Sequence, residues 1–169
     1  MDVATAAALS GHDHATGGDN SPARDDAHHG AASGGATSIE ERAESGRRVA
    51  ALFGERQDEL GAIITREMGK PVAEAPGEAE FSGDIFRYYA DHAAKFTEDL
   101  VLEDTAEARS VVQRRPVGTL LGIMPWNYPY YQVARFAAPN LMLGNTILLK
   151  HAESVPESAL AIAKIMEQA

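Results

Sequence analysis

From residue 39 onward the large apolar residues fall at helical spacing. Val49, Leu52, Phe53, Leu60, Ile63, Ile64 and Met68 form one stripe. Ser38 followed by Glu41 is a capping box, in which each side chain satisfies a backbone N–H of the other, so order is predicted to begin at Ser38. Gly54 interrupts the stripe and predicts two helices, 39–54 and 57–68. Gly69 and then Pro71 end the second in the usual order, glycine as cap and proline beyond. A third helix is predicted from Pro76 to Lys95, with proline in its first turn and Ala79, Ile85, Phe86, Tyr89 and Phe96 along its apolar face.

The pattern then changes. Arg109 to Pro116 reads as an exposed strand, with β-branched Val111 and Val112 and a basic end at Arg114 and Arg115. Thr119 to Met124 is a short apolar run, the mark of a buried parallel strand. Two prolines make Pro125 to Pro129 a loop. A helix over 130–143 ends at Gly144-Asn145, a second apolar strand spans 146–150, and a second helix spans 156–168. Strand, helix, strand, helix with short connections is the βαβα order of a doubly wound parallel sheet. Two strands alone leave both outer edges open and apolar, so this half-sheet reads as part of something larger.

Residues 1–37 are of another kind, a tail rich in Ala, Gly and His with few sizeable apolar side chains. They cannot bury enough surface to offset their ordering entropy and are expected to be disordered. Four histidines lie there, as His12-x-His14 and His28-His29. Weak metal binding is one reading of them and biased tail composition the favoured one, so no metal site is assigned. Across 169 residues the formal net charge is -10, which gives no general attraction for nucleic acid or anionic lipid. No apolar run approaches the roughly 20 residues of a membrane-spanning helix. The stretch Val3 to Leu9 follows Asp2 rather than a basic residue, a poor secretory signal, and cytoplasmic residence is the expectation. Cysteine is absent, which excludes a disulfide framework, a thiolate zinc site and a cysteine nucleophile within this chain.

The chemistry gathers around one constellation. Pro116-Val117-Gly118-Thr119 leads to Pro125-Trp126-Asn127-Tyr128-Pro129, then to Gly144-Asn145-Thr146 and to Lys150 closing the second strand. Upstream stands Glu67-Met68-Gly69-Lys70-Pro71. Together these resemble the NAD(P)-dependent aldehyde dehydrogenase superfamily, over about residues 38–169. Met124-Pro-Trp-Asn, Val133-Ala134-Arg135-Phe136 and Lys150-His151-Ala152 are most similar to bacterial succinate-semialdehyde dehydrogenases. The resemblance implies an α/β fold of that family: an N-terminal helical layer plus the first half of a Rossmann-type sheet, truncated, with the catalytic domain absent. It also implies site roles. Asn127 would donate a hydrogen bond to the oxyanion, a task suited to a neutral amide that cannot take up the proton. An Asx-turn bond to the loop backbone is the structural alternative. Ile123, Met124, Pro125 and Trp126 would line the cofactor groove with Lys150, His151 and Glu153. Trp126 could equally be a core aromatic. A carboxylate at Glu153 should repel a 2′-phosphate and favour NAD, whereas the Lys-His-Ala subgroup includes NADP users, so NAD or NADP stays open. Arg135, four residues from Tyr131 on one helix face, would hold the distal carboxylate of a small carboxylated aldehyde. An apolar neighbourhood argues against a merely solvated arginine there, and an ion pair to an acidic residue of another helix or subunit is the alternative.

The family's cysteine nucleophile and glutamate base lie downstream of these motifs, so the chain is expected to lack activity alone. The reading is an aldehyde-oxidising oxidoreductase acting on succinate semialdehyde, working as a family-type homo-oligomer or with the missing C-terminal part. The alternative is a non-catalytic remnant or split subunit that pairs with a full-length homologue through its Arg109–Pro116 strand and helical face.

Overall fold

In the computed structural model residues 37–169 are described, so the tail and its histidine pairs lie outside them apart from Thr37. Helices α1 (Ile39–Glu55), α2 (Gln57–Met68), α3 (Ala75–Asp91) and the short α4 (Ala93–Thr97) come first. The capping box forms as the sequence predicts: Ser38 Oγ accepts from the Glu41 N–H at 3.2 Å, and Glu41 Oε2 accepts from the Ser38 N–H at 2.7 Å. Gly69 caps α2 in the left-handed region at φ 74, where a side chain would be strained. Phe53 and Phe86 are fully buried and stack at 6.1 Å, joining α1 to α3, and Tyr130 meets Phe53 edge-on at 6.0 Å. Each such ring contributes about 2–3 kcal/mol through area removed from water.

Two predicted elements are corrected. The helix expected to run unbroken to Lys95 breaks at His92, whose ψ of 6 leaves the helical region. There the His92 ring donates from Nδ1 to the Tyr88 carbonyl at 2.8 Å, an acceptor it shares with its own backbone N–H at 3.2 Å, and packs against the Tyr88 and Phe96 rings. The strand expected over Arg109–Pro116 stops at Val112. It is β2 (Arg109–Val112), the second arm of an antiparallel hairpin with β1 (Leu100–Asp104), a strand the sequence pattern did not signal. All five β1 residues are exposed, so no alternation of buried and exposed positions marks it. β2 ends where its partner does, Leu100 facing Val112.

The βαβα unit follows as predicted: β3 (Thr119–Ile123), α5 (Pro129–Leu143), β4 (Thr146–Lys150) and α6 (Pro156–Gln168). β3 and β4 are parallel and in register from Thr119↔Thr146 to Ile123↔Lys150. The Gly-Asn-Thr turn has a structural role. Asn145 Oδ1 accepts from the N–H groups of Val117 and Gly118 at 2.7 and 3.1 Å, anchoring the entry to β3 beside the start of β4. The burial expected of β3 is corrected: Leu121 and Ile123 are 60% and 71% exposed, because β4 is its one strand neighbour among the described residues, and the strand presents an open apolar surface.

Neither helix of this unit caps itself. Tyr128 before α5 and Val155 before α6 make no side-chain cap bond. Both caps come from the helical layer instead. Glu78 Oε1 accepts from the N–H groups of Tyr130 and Tyr131 at 3.0 and 3.4 Å. Glu67 accepts from the Glu157 N–H, the Ser158 N–H and Ser158 Oγ at 2.5, 2.9 and 2.6 Å. A carboxylate at a helix start meets both the unpaired N–H groups and the positive end of the helix dipole.

Candidate active site

The carboxyl ends of β3 and β4 lie side by side, and the Met124 N–H donates to the Lys150 carbonyl at 3.0 Å just beyond them. The loop from Pro125 to Tyr128 rises from this point, where ligands meet doubly wound sheets. Asn127 is exposed on it, and among the described residues its amide makes no hydrogen bond, so the Asx-turn alternative does not occur. Trp126 is 53% exposed rather than a core aromatic. Ile123 and Trp126 leave an uncovered apolar surface at the sheet end, and Met124 is half-buried.

Charged groups stand on the β4 side. Lys150 Nζ lies 3.7 Å from Glu153 Oε1, with both side chains largely in solvent, so neither is committed to the protein interior. His151 differs. It is buried, donates from Nε2 to the Pro129 carbonyl at 3.0 Å and accepts the Ala152 N–H at Nδ1 at 2.8 Å. Both nitrogens are spent on backbone, which fixes the neutral tautomer, and burial pushes its pKa below the ordinary histidine value. The imidazole therefore ties the end of β4 to the start of α5.

On the other side of the loop is an open pocket of about 460 Å³ lined by Lys70, Glu74, Gly77, Glu78, Phe81, Tyr128 and Tyr131. Phe81 stacks on Tyr131 at 5.6 Å and Tyr128 meets Tyr131 edge-on at 6.0 Å. Arg135 lies over the outer part of this cluster, its guanidinium carbon 5.7 Å from the Tyr131 ring centroid. It is exposed, contrary to the expectation from its apolar neighbours in sequence, because those neighbours turn to the opposite face of α5. Among the described residues it pairs with no carboxylate of its own chain, which leaves of that alternative only a partner on another subunit. The arrangement brings Arg135 and Tyr131 together, as their spacing predicts, and sets Asn127, Trp126, Ile123, Lys150 and Glu153 around the sheet end. Lys70, Glu78, Phe81 and Tyr128 were not singled out from the sequence as site residues. One signal was available for Glu78: it lies in the helical row of Ala75, Ala79, Ser82 and Phe86, and a carboxylate on a buried face needs a partner.

The sequence profile of the Aldehyde dehydrogenase family matches residues 2–169. The chain belongs to the aldehyde dehydrogenase family. It is 48% identical over 131 residues to a succinate-semialdehyde dehydrogenase [NADP(+)] of Deinococcus radiodurans, covering 78% of this chain and 27% of that protein. It is 40% identical over 134 residues to the succinate semialdehyde dehydrogenase [NAD(P)+] Sad of Escherichia coli, covering 79% and 29%. Among solved structures it is similar to a succinic semialdehyde dehydrogenase from Streptococcus pyogenes in complex with NADP+, with a TM-score of 0.80 and 35% identity over 85% of this chain and 31% of that one. The chain thus spans roughly 30% of the length of these aldehyde dehydrogenases, and its fold is their α/β fold over that part. Among the described residues no helix is long and apolar enough to cross a membrane.

Proposed function

We propose that this chain supplies the cofactor groove, the oxyanion donor and the substrate-carboxylate grip of an enzyme that oxidises succinate semialdehyde to succinate with NAD(P)+. The observation that carries the reading is the juxtaposition at one end of the sheet. The exposed, unbonded Asn127 amide lies on the loop that joins the exposed apolar residues Ile123 and Trp126, beside Lys150 at the sheet end, to Tyr128 of the aromatic pocket, and Arg135 lies over the Tyr131 ring of that pocket.

The groove suits a dinucleotide. Ile123, Met124, Pro125 and Trp126 offer a wall for its apolar faces, and Lys150 and Glu153 offer a cation and an acceptor for ribose hydroxyls or an added phosphate. When bound, the nicotinamide accepts the hydride. Asn127 donates its N–H to the carbonyl oxygen of the aldehyde as negative charge develops there, and an amide does so without giving up the proton. Arg135, backed by the Tyr131 ring, can present two parallel N–H donors to the distal carboxylate, a geometry that lysine lacks. The chain has no cysteine, so the nucleophile belongs to another part of the working enzyme.

A hybrid enzyme tests this reading. Residues 38–169 replace the matching segment of the Deinococcus radiodurans relative, and kcat/KM is measured with succinate semialdehyde and with butanal. Arg135→Ala should cost about 2–5 kcal/mol against succinate semialdehyde, the range for removing one partner of a desolvated charge pair. Butanal, which has no carboxylate, should be oxidised as before. Equal losses on the two substrates would make Arg135 structural and remove the basis for a carboxylated substrate.

A further inference from the structure

Lys70 and Glu78 form an ion pair at 2.5 Å with side chains only 10% and 2% exposed. The mutual attraction of two buried charges often fails to repay their desolvation, so such a pair says little about stability and more about what else it holds. Here it holds one short piece of chain. Glu78 keeps Oε1 for the N–H groups of Tyr130 and Tyr131, and Lys70 Nζ sits 3.9 Å from the centroid of the Tyr128 ring. These residues lie one, three and four positions after Asn127. On the far side of the loop, the bond from Met124 to the Lys150 carbonyl is the matching anchor. Pro125, Trp126 and Asn127 are exposed between the two anchors.

We propose that Lys70 and Glu78 are positioning residues that set where Asn127 stands, an inference that rests on the reading of Asn127 as the oxyanion donor. Displacing a donor by about 1 Å can cost about a hundredfold in rate, so a fixed loop has value beyond stability. The pair is suited to the work because its two ends grip different things. The carboxylate fixes the helix start, and the ammonium fixes the ring that follows Asn127. The helical layer, rather than the sheet, thereby sets one side of the site.

The test uses the full 169-residue chain and two readouts local to the loop. Amide hydrogen exchange reports Tyr130 and Tyr131, and the fluorescence anisotropy of Trp126, the only tryptophan, reports the loop itself. Lys70→Met and Glu78→Ala should each speed exchange at Tyr130 and Tyr131 by about tenfold or more and lower the Trp126 anisotropy. The amides of Glu41 and Ser158, capped by other side chains, should exchange as before. Lys70→Arg, which can still pair with Glu78 and lie over Tyr128, should restore both readouts, whereas a bulk loss of stability would move all four amides together. Unprotected Tyr130 and Tyr131 amides in the unmodified chain, or variants that leave them and Trp126 unchanged, would overturn the proposal. Neither readout involves turnover, so an inactive hybrid enzyme would count against the proposed function while leaving this result to be judged separately.

Discussion

Removing the Glu67 carboxylate should weaken the hold of the helical layer on α6. The perturbation is Glu67→Ala. Three donors lose their acceptor: the Glu157 N–H, the Ser158 N–H and Ser158 Oγ. Glu157 is exposed, and water replaces its partner at little cost. Ser158 is fully buried, and a buried donor left without a partner costs about 1–3 kcal/mol. Loss of the negative charge at the first turn of α6 adds about 0.3–1 kcal/mol. The expected destabilisation is therefore about 1–4 kcal/mol, appreciable against a typical domain stability of about 5–15 kcal/mol. Urea unfolding followed by circular dichroism would show it as a lower midpoint at unchanged slope. Glu67→Gln keeps one acceptor oxygen and should fall between. Arg66→Ala, which breaks an exposed ion pair to Glu157 at 2.7 Å, should cost no more than about 1 kcal/mol and serves as the neighbouring control. If Glu67→Ala lies within about 0.5 kcal/mol of the unmodified chain, the cap is ornamental and the reasoning about Glu78 weakens with it.

Three further outcomes are expected. In the hybrid enzyme, Glu153→Ser should raise the efficiency with NADP+ relative to NAD+ by about tenfold if about 1.4 kcal/mol of repulsion is relieved, and Lys150→Ala should weaken both cofactors; unchanged ratios in both variants would mean the groove is misassigned. Burial lowers the His151 pKa below its unfolded value of 6.5, so its contribution is fully present above that value and is lost as pH falls through 6.5 toward the folded pKa. His151→Asn should flatten that part of a plot of urea midpoint against pH, and an unaltered slope would refute it. Gly122→Ala would place a Cβ 2.5 Å from Phe136 Cε1, and the forced shift of the ring should cost about 1–3 kcal/mol in the same urea assay.

The parts of the fold that local rules control were legible in the sequence. A capping box, a stripe of apolar residues and a glycine before a proline gave α1 and α2 nearly to the residue, because each signal acts within four or five positions of the chain. β3 and β4 showed as short apolar runs, although β3 is half uncovered here. The failures have the opposite character. β1 has no buried face to leave a pattern, and the break at His92 falls inside an apolar spacing that runs on to Phe96. At the site, the positions of Asn127 and Lys150 followed from where strands end. The inward turn of His151 and the outward turn of Arg135 depended on which face of a neighbouring element each met, and periodicity within one segment does not contain that information. Glu67 and Glu78 were visible as residues but not as caps, since their partners lie 91 and 52 positions away.

Those two distant caps also fix an order of events. During synthesis the helical layer leaves the ribosome first, carrying Glu67 and Glu78 with nothing to cap, and both carboxylates stay hydrated until residues 130 and 158 have followed. The helices that will receive them begin with unanswered N–H groups, so neither has a firm start before it docks. Docking thus completes both partners in one step, joining the early and late parts of this segment into a single cooperative unit rather than two that ripen separately.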